Sequence, residues 1–80
     1  MYFVYLLKSI HYPDKTYIGY TKDLNNRLKE HNAGDSSHTS RYKPWELVAC
    51  IGFKHQAKAI EFEQYLKSGS GNAFALKRLW

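Results

Sequence analysis

The spacing of apolar and polar residues changes several times along this chain, and each change marks an element. Tyr2 to Ser9 (YFVYLLKS) is apolar on both alternating faces and rich in aromatic and β-branched residues, which predicts a central strand covered on two sides. Pro13 and Asp14 lie in the short connection that follows, so Thr16 to Tyr20 is expected to pair with the first strand as an antiparallel hairpin. Tyr5 and Tyr17 can then face the same side. After a turn at Thr21 to Asp23 the period becomes helical to about Asn32, with Thr21 or Asp23 as N-cap and Gly34 just past the end. Asp35 to Lys43 (DSSHTSRYK) is a polar loop, and Pro44 precedes a third strand, Trp45 to Phe53, largely apolar on both faces. Gln56 to Ser68 reads as a second helix closed by Gly69, Ser68 to Gly71 as a flexible break, and Ala73 to Trp80 as a last helix capped by Asn72. The order β-β-α-β-α-α predicts an α+β fold, a small three-stranded antiparallel sheet flanked by helices, in one domain spanning residues 1–80.

Certain polar residues fall on stripes that should face the protein. At 100° per residue Arg27 and His31 share an arc with Leu24 and Leu28, while Asn26, Lys29 and Glu30 take the solvated side. In the second helix Glu63 falls in the stripe of Ala59, Phe62 and Leu66, whereas Glu61 points almost the opposite way. A carboxylate beside a core needs a counter-ion or a bound cation, so Glu63 calls for a partner that Glu61 does not need. Gly19 lies on the same strand face as Tyr17 and leaves bare backbone beside a phenol, where a ligand could approach. Structural readings account for the same pattern: a snorkelling Arg27, a hydrogen-bonded His31, and Glu63 paired with a Lys or Arg.

Charge and composition narrow the partner. A formal charge of +5 favours an anionic partner such as nucleic acid, to which Lys22, Arg41, Lys43 and the loop hydroxyls could contribute phosphate contacts. Hydrophobic residues make up 44% and aromatic residues 16%, enough for a folded globule in 80 residues. Cys50 is the one cysteine, so a disulfide framework and a thiolate-rich zinc site are excluded, and its apolar neighbours predict burial. No apolar run approaches the roughly 18 residues that span a bilayer, and the N-terminus has no signal-peptide pattern, so a soluble cytoplasmic protein is expected.

Tyr17, Arg27, His31 and Glu63 are compatible with phosphodiester hydrolysis, which needs a base for the attacking water, a cation for the transition state and help for the departing oxygen. The residues then resemble a known family. Phe3-Val4-Tyr5 followed by Tyr17-Ile18-Gly19 is similar to the paired tripeptides of the GIY-YIG nuclease superfamily, and the likeness continues through Arg27 in LNNRLKEHN and Glu63 in AIEFEQYLKSG. It extends in particular to the small single-domain branch related to the UvrC N-terminal nuclease domain. The resemblance implies a metal-dependent DNA endonuclease with a one-metal mechanism. Tyr17 would be the general base or would orient the water, with His31 as the other candidate. Tyr5 would hydrogen-bond near the phosphate or to Tyr17, Arg27 would stabilise the scissile phosphate, and Glu63 would bind Mg²⁺ or Mn²⁺. These side chains would meet in one shallow pocket wide enough for a sugar-phosphate strand.

Two positions depart from the family pattern. Tyr20 stands where some relatives carry lysine, and Asn72 could belong to the site or cap a helix. The implied partner is DNA, including branched or damaged forms, with repair, recombination and defence against foreign DNA all open as pathways. The oligomeric state is open, a monomer or a weak homodimer. Two rivals are a DNA-binding module with little turnover and an interaction module using Trp45, Phe74 and Trp80 as a contact surface.

Overall fold

The computed structural model describes residues 1–80, with β1 (Tyr2–Ser9) between β2 (Thr16–Thr21) and β3 (Trp45–Phe53) and antiparallel to both. Alternation along β1 builds two apolar layers. Val4 and Leu6, both fully buried, pack with Ala59 and Leu66 of α2 (Gln56–Lys67) and Ala75 of α3 (Gly69–Arg78). Tyr5 and Leu7 point the other way and pack with Trp45, ringed by Tyr17, Tyr42, and Leu24 and Leu28 of α1 (Leu24–Ala33). Each fully buried aliphatic side chain contributes about 1.5–3 kcal/mol, which is why the central strand dominates a domain this small.

The predicted architecture is the observed one, and three local expectations change. β3 occupies an edge of the sheet, so its outward positions are not covered: Cys50 and Leu47 are exposed. The chain between α1 and β3 is not wholly irregular, because Ser40–Tyr42 forms a 3-10 turn. Ser68 to Gly71 is not a flexible break. Ser68 is the N-cap of α3 and its hydroxyl accepts from the Gly71 amide at 3.2 Å, which leaves Asn72 inside the helix. Asp23 caps α1 through the Asn26 amide at 3.1 Å, and Gly34 ends it with φ 83.

Trp45 is buried at 4% exposure and Trp80 packs on the core, so a contact surface built from Trp45, Phe74 and Trp80 does not form.

A chain of hydrogen bonds runs through the layer between α1 and the sheet. The Tyr5 hydroxyl lies 2.9 Å from His31 Nε2, and His31 Nδ1 lies 2.7 Å from Thr39 Oγ1. The Trp45 indole N–H donates to the Thr39 carbonyl at 2.8 Å. Asn32 docks the same helix on edge strand β3, accepting from the Trp45 amide and donating to its carbonyl. His31 and Thr39 are each 1% exposed, yet no buried side-chain polar atom lacks a partner. Burial, and then the nearby Arg27 charge, lower the His31 pKa from its ordinary 6.5. The imidazole is therefore neutral at pH 7, accepting at one nitrogen and donating from the other.

Two predictions follow from this packing. A Cβ on Gly71 would clash with the Tyr65 carbonyl, so α3 can begin against the end of α2 only at a glycine. Gly71→Ala should destabilise the fold by about 3 kcal/mol in urea unfolding, whereas Gly69→Ala, with nothing within 4 Å, should be neutral or slightly stabilising. The second concerns pH. The folded pKa of His31 is lower than the unfolded value of about 6.5, so the unfolded chain binds more protons in the interval between them. The His31 contribution is complete above pH 6.5 and declines as pH falls toward the folded pKa. Thermal unfolding from pH 7.5 down to 5 should show this loss, and His31→Gln should lack that part of the slope.

Candidate active site

The phenols of Tyr5 and Tyr17 stand on one face because residues two apart alternate back and the register sets Tyr5 opposite Gly19. Their ring centroids are 6.2 Å apart, and His31 lies 5.0 Å from Tyr17 and 5.8 Å from Tyr5. Gly19 makes this cluster possible in a different way from the one expected. A Cβ there would meet the Tyr5 hydroxyl at 2.6 Å, so the bare backbone is covered by Tyr5 and is buried, not open to a ligand.

The two phenols occupy different environments. Tyr5 is 2% exposed, and its hydroxyl is engaged by His31, not by Tyr17. Burial is the main cause that pushes its pKa well above the ordinary 10, with Tyr17, Glu30 and Glu63 adding to the rise and Arg27 opposing it. Tyr5 therefore keeps its proton. Tyr17 is half-buried and borders a cleft of about 330 Å³ shared with Thr16, Ile18, Leu66, Lys67 and Asn72. His31 cannot meet water directly, since both ring nitrogens are occupied inside the protein.

Arg27 and Glu63 approach this cluster from opposite layers. The Arg27 side chain is 45% exposed, more open than its place on the helical stripe predicted, and its Nε lies 3.4 Å from Glu30. The Glu30 side chain is 42% exposed, so the pair lies at the helix surface. Arg27 borders a second hollow of about 300 Å³ with Glu30, Asp35, Ser36 and Ser37. Tyr17 and Arg27 thus line two separate recesses, with no lining residue in common, instead of the single pocket expected. Arg27, Glu30 and Glu63 all act on the ionisation of Tyr5.

Glu63 is on the inward stripe as expected, its side chain 17% exposed, while Glu61 faces solvent and pairs with Lys58. The partner that Glu63 requires is Lys67, one helical turn on, with Nζ 3.0 Å from Oε2. Glu63 Oε1 has no protein partner, and no group of three His, Cys, Asp or Glu residues surrounds it. A lone carboxylate with one free oxygen fits a hard cation that keeps most of its shell as water and phosphate oxygens, as Mg²⁺ and Mn²⁺ do, and does not fit zinc.

The basic residues proposed for nucleic acid divide. Arg41 lies over the Tyr42 ring at 5.8 Å, joined there by Lys15 at 5.4 Å, and Tyr42 packs on the same cluster as Tyr17. Lys43 reaches toward Gly34 at the end of α1. Lys22 lies over Tyr2, and the strand register puts it at the far end of β2 from Tyr17. Sequence reasoning missed Lys67, although its spacing of four from Glu63 was a usable signal. It also missed Thr39, for which no local pattern exists.

Comparison with known proteins agrees with this geometry. A family model described as the GIY-YIG catalytic domain matches residues 1–76. The structure-specific endonuclease subunit SLX1 of Candida dubliniensis is 40% identical over 74 residues, covering 82% of this chain and 26% of the relative. The SLX1 homolog of Giardia intestinalis is 40% identical over 55 residues, covering 64% of this chain and 15% of that protein. The chain thus spans about a quarter, or less, of the length of these relatives. The solution NMR structure of a UPF0213 protein from Bacillus halodurans matches with a TM-score of 0.56 and 28% identity, covering 96% of this chain and 84% of that one. With the paired tripeptides on adjacent strands, Arg27 and Glu63 on the helices that flank them, and the family model spanning residues 1–76, this chain belongs to the GIY-YIG nuclease superfamily.

Proposed function

We propose that this domain hydrolyses DNA phosphodiester bonds with a divalent cation, Mg²⁺ or Mn²⁺, bound at Glu63. The reading is carried by one observation: the buried Tyr5 phenol, 6.2 Å from the Tyr17 ring, feels the charges of Arg27 on one helix and of Glu63 on another. DNA as the substrate, including branched forms, is supported by the net charge of +5 and by relatives named as structure-specific endonuclease subunits. No helix is long and apolar enough to cross a membrane.

The roles follow from the environments. Tyr17, open to the cleft, orients the attacking water and, in its phenolate form, receives the proton that the water gives up. Tyr5 cannot share that task because burial keeps it protonated, so it serves as a fixed neutral dipole held by His31. Neutral His31 acts through Tyr5 and by packing beside Tyr17, so it is a positioning residue and not the base. Arg27 stabilises the negative charge that builds on the non-bridging oxygens as water attacks phosphorus and the opposite P–O bond breaks. A cation on Glu63 would supply Lewis-acid stabilisation of the departing oxygen. Arg41 and Lys15 beside Tyr42 guide the flanking backbone.

Incubation of supercoiled and branched DNA with Mg²⁺ or Mn²⁺ should produce nicks that EDTA prevents. Glu63→Gln should abolish cleavage while leaving the circular dichroism spectrum unchanged, because the side chain lies at the edge of the core. Arg27→Ala should cost about 3 kcal/mol of transition-state stabilisation, roughly a hundredfold in rate. Cleavage by the Glu63→Gln protein at the parent rate would overturn the assignment, and DNA binding without nicking by the parent would identify a binding module instead.

A further inference from the structure

A second cation stands at this site with no role in the scheme above. Lys67 lines the cleft with Tyr17 and Asn72, and its Nζ is 3.0 Å from Glu63 Oε2. The pair is unequal in setting: the Glu63 side chain is 17% exposed and that of Lys67 is 52%. The carboxylate is held by its place on the inward stripe of α2, whereas the ammonium ends a flexible four-carbon stem in reach of water. A divalent cation on Glu63 would meet the ammonium at a distance where like charges repel strongly. The two therefore compete for one carboxylate. A backbone phosphate entering the cleft beside Tyr17 offers the ammonium another anion.

We infer that Lys67 couples cation binding to substrate binding. In the free protein its ammonium holds Glu63 and weakens the affinity for a divalent cation. Once a DNA phosphate occupies the cleft, the ammonium turns to that phosphate and Glu63 is released to the cation. Linkage makes the coupling reciprocal, so a bound cation strengthens the phosphate contact by the same factor. An exposed ion pair is worth little in water, which sets the size of the effect at about two- to fivefold. This inference rests on the reading of Glu63 as the cation ligand.

Mn²⁺ titration followed by electron paramagnetic resonance separates the two ideas without measuring cleavage. Lys67→Met should bind Mn²⁺ about two- to fivefold more tightly than the parent in the absence of DNA, and Lys67→Arg should resemble the parent. With an excess of a short DNA duplex, and after subtraction of the Glu63→Gln background, the affinities of parent and Lys67→Met should converge. Equal or weaker Mn²⁺ binding by Lys67→Met without DNA, while Glu63→Gln has lost the ion, overturns the coupling and leaves the Glu63 site standing. Retention of Mn²⁺ by Glu63→Gln at parent affinity overturns the site itself, and the coupling with it.

Discussion

The buried line of hydrogen bonds from Tyr5 through His31 to Thr39 is the constraint on which this small structure turns. It crosses the layer between α1 and the sheet, and every member is almost fully shielded from water. Polar groups in such a place are tolerated only when each finds a partner, so the line specifies one position for the helix along the strand. The Trp45 indole extends it to the neighbouring edge strand through the Thr39 carbonyl, and Asn32 adds two bonds to the Trp45 backbone. A purely apolar layer would allow the helix to slide. The same bonds that align α1 also fix the position of Arg27, one turn before His31, relative to the sheet.

Burial divides labour between groups of the same chemical type. Of the two neighbouring phenols, one is sealed and keeps its proton, and the other borders open space. Of the two glutamates in α2, one faces solvent beside Lys58, and the other lies at the edge of the core, paired with Lys67. The chemistry proposed for each follows from its dielectric surroundings and neighbours, which differ, and not from its functional group, which does not. Gly19 illustrates how closely the arrangement is packed, because a single methyl group there would displace the Tyr5 ring.

Some of this could be read along the chain. Strand β1 announced its central place through apolar residues on both faces, and the inward lean of Glu63 was visible in its spacing from Ala59 and Leu66. The reading failed where neighbours decide. Cys50 sits among apolar residues and was expected to be buried, but its strand lies at an edge and is covered on that side by too little. The run Ser68 to Gly71 looked like a flexible linker, yet its small residues serve a close crossing of two helices, which no local rule distinguishes from a linker.

The amino-acid sequence alone determined the order and type of the elements, the residues on each inward stripe, and the set of side chains able to act on a phosphodiester. These depend on periods of two and 3.6 residues and on turn chemistry, all local properties of the chain. Tertiary structure decided which phenol is sealed and which is open, that Lys67 stands on Glu63, that Thr39 completes the His31 line, and that Tyr17 and Arg27 line two recesses where one was expected. Those outcomes depend on distances between residues far apart in the chain and on how much water reaches them. Neither quantity exists until the helices have closed over the sheet.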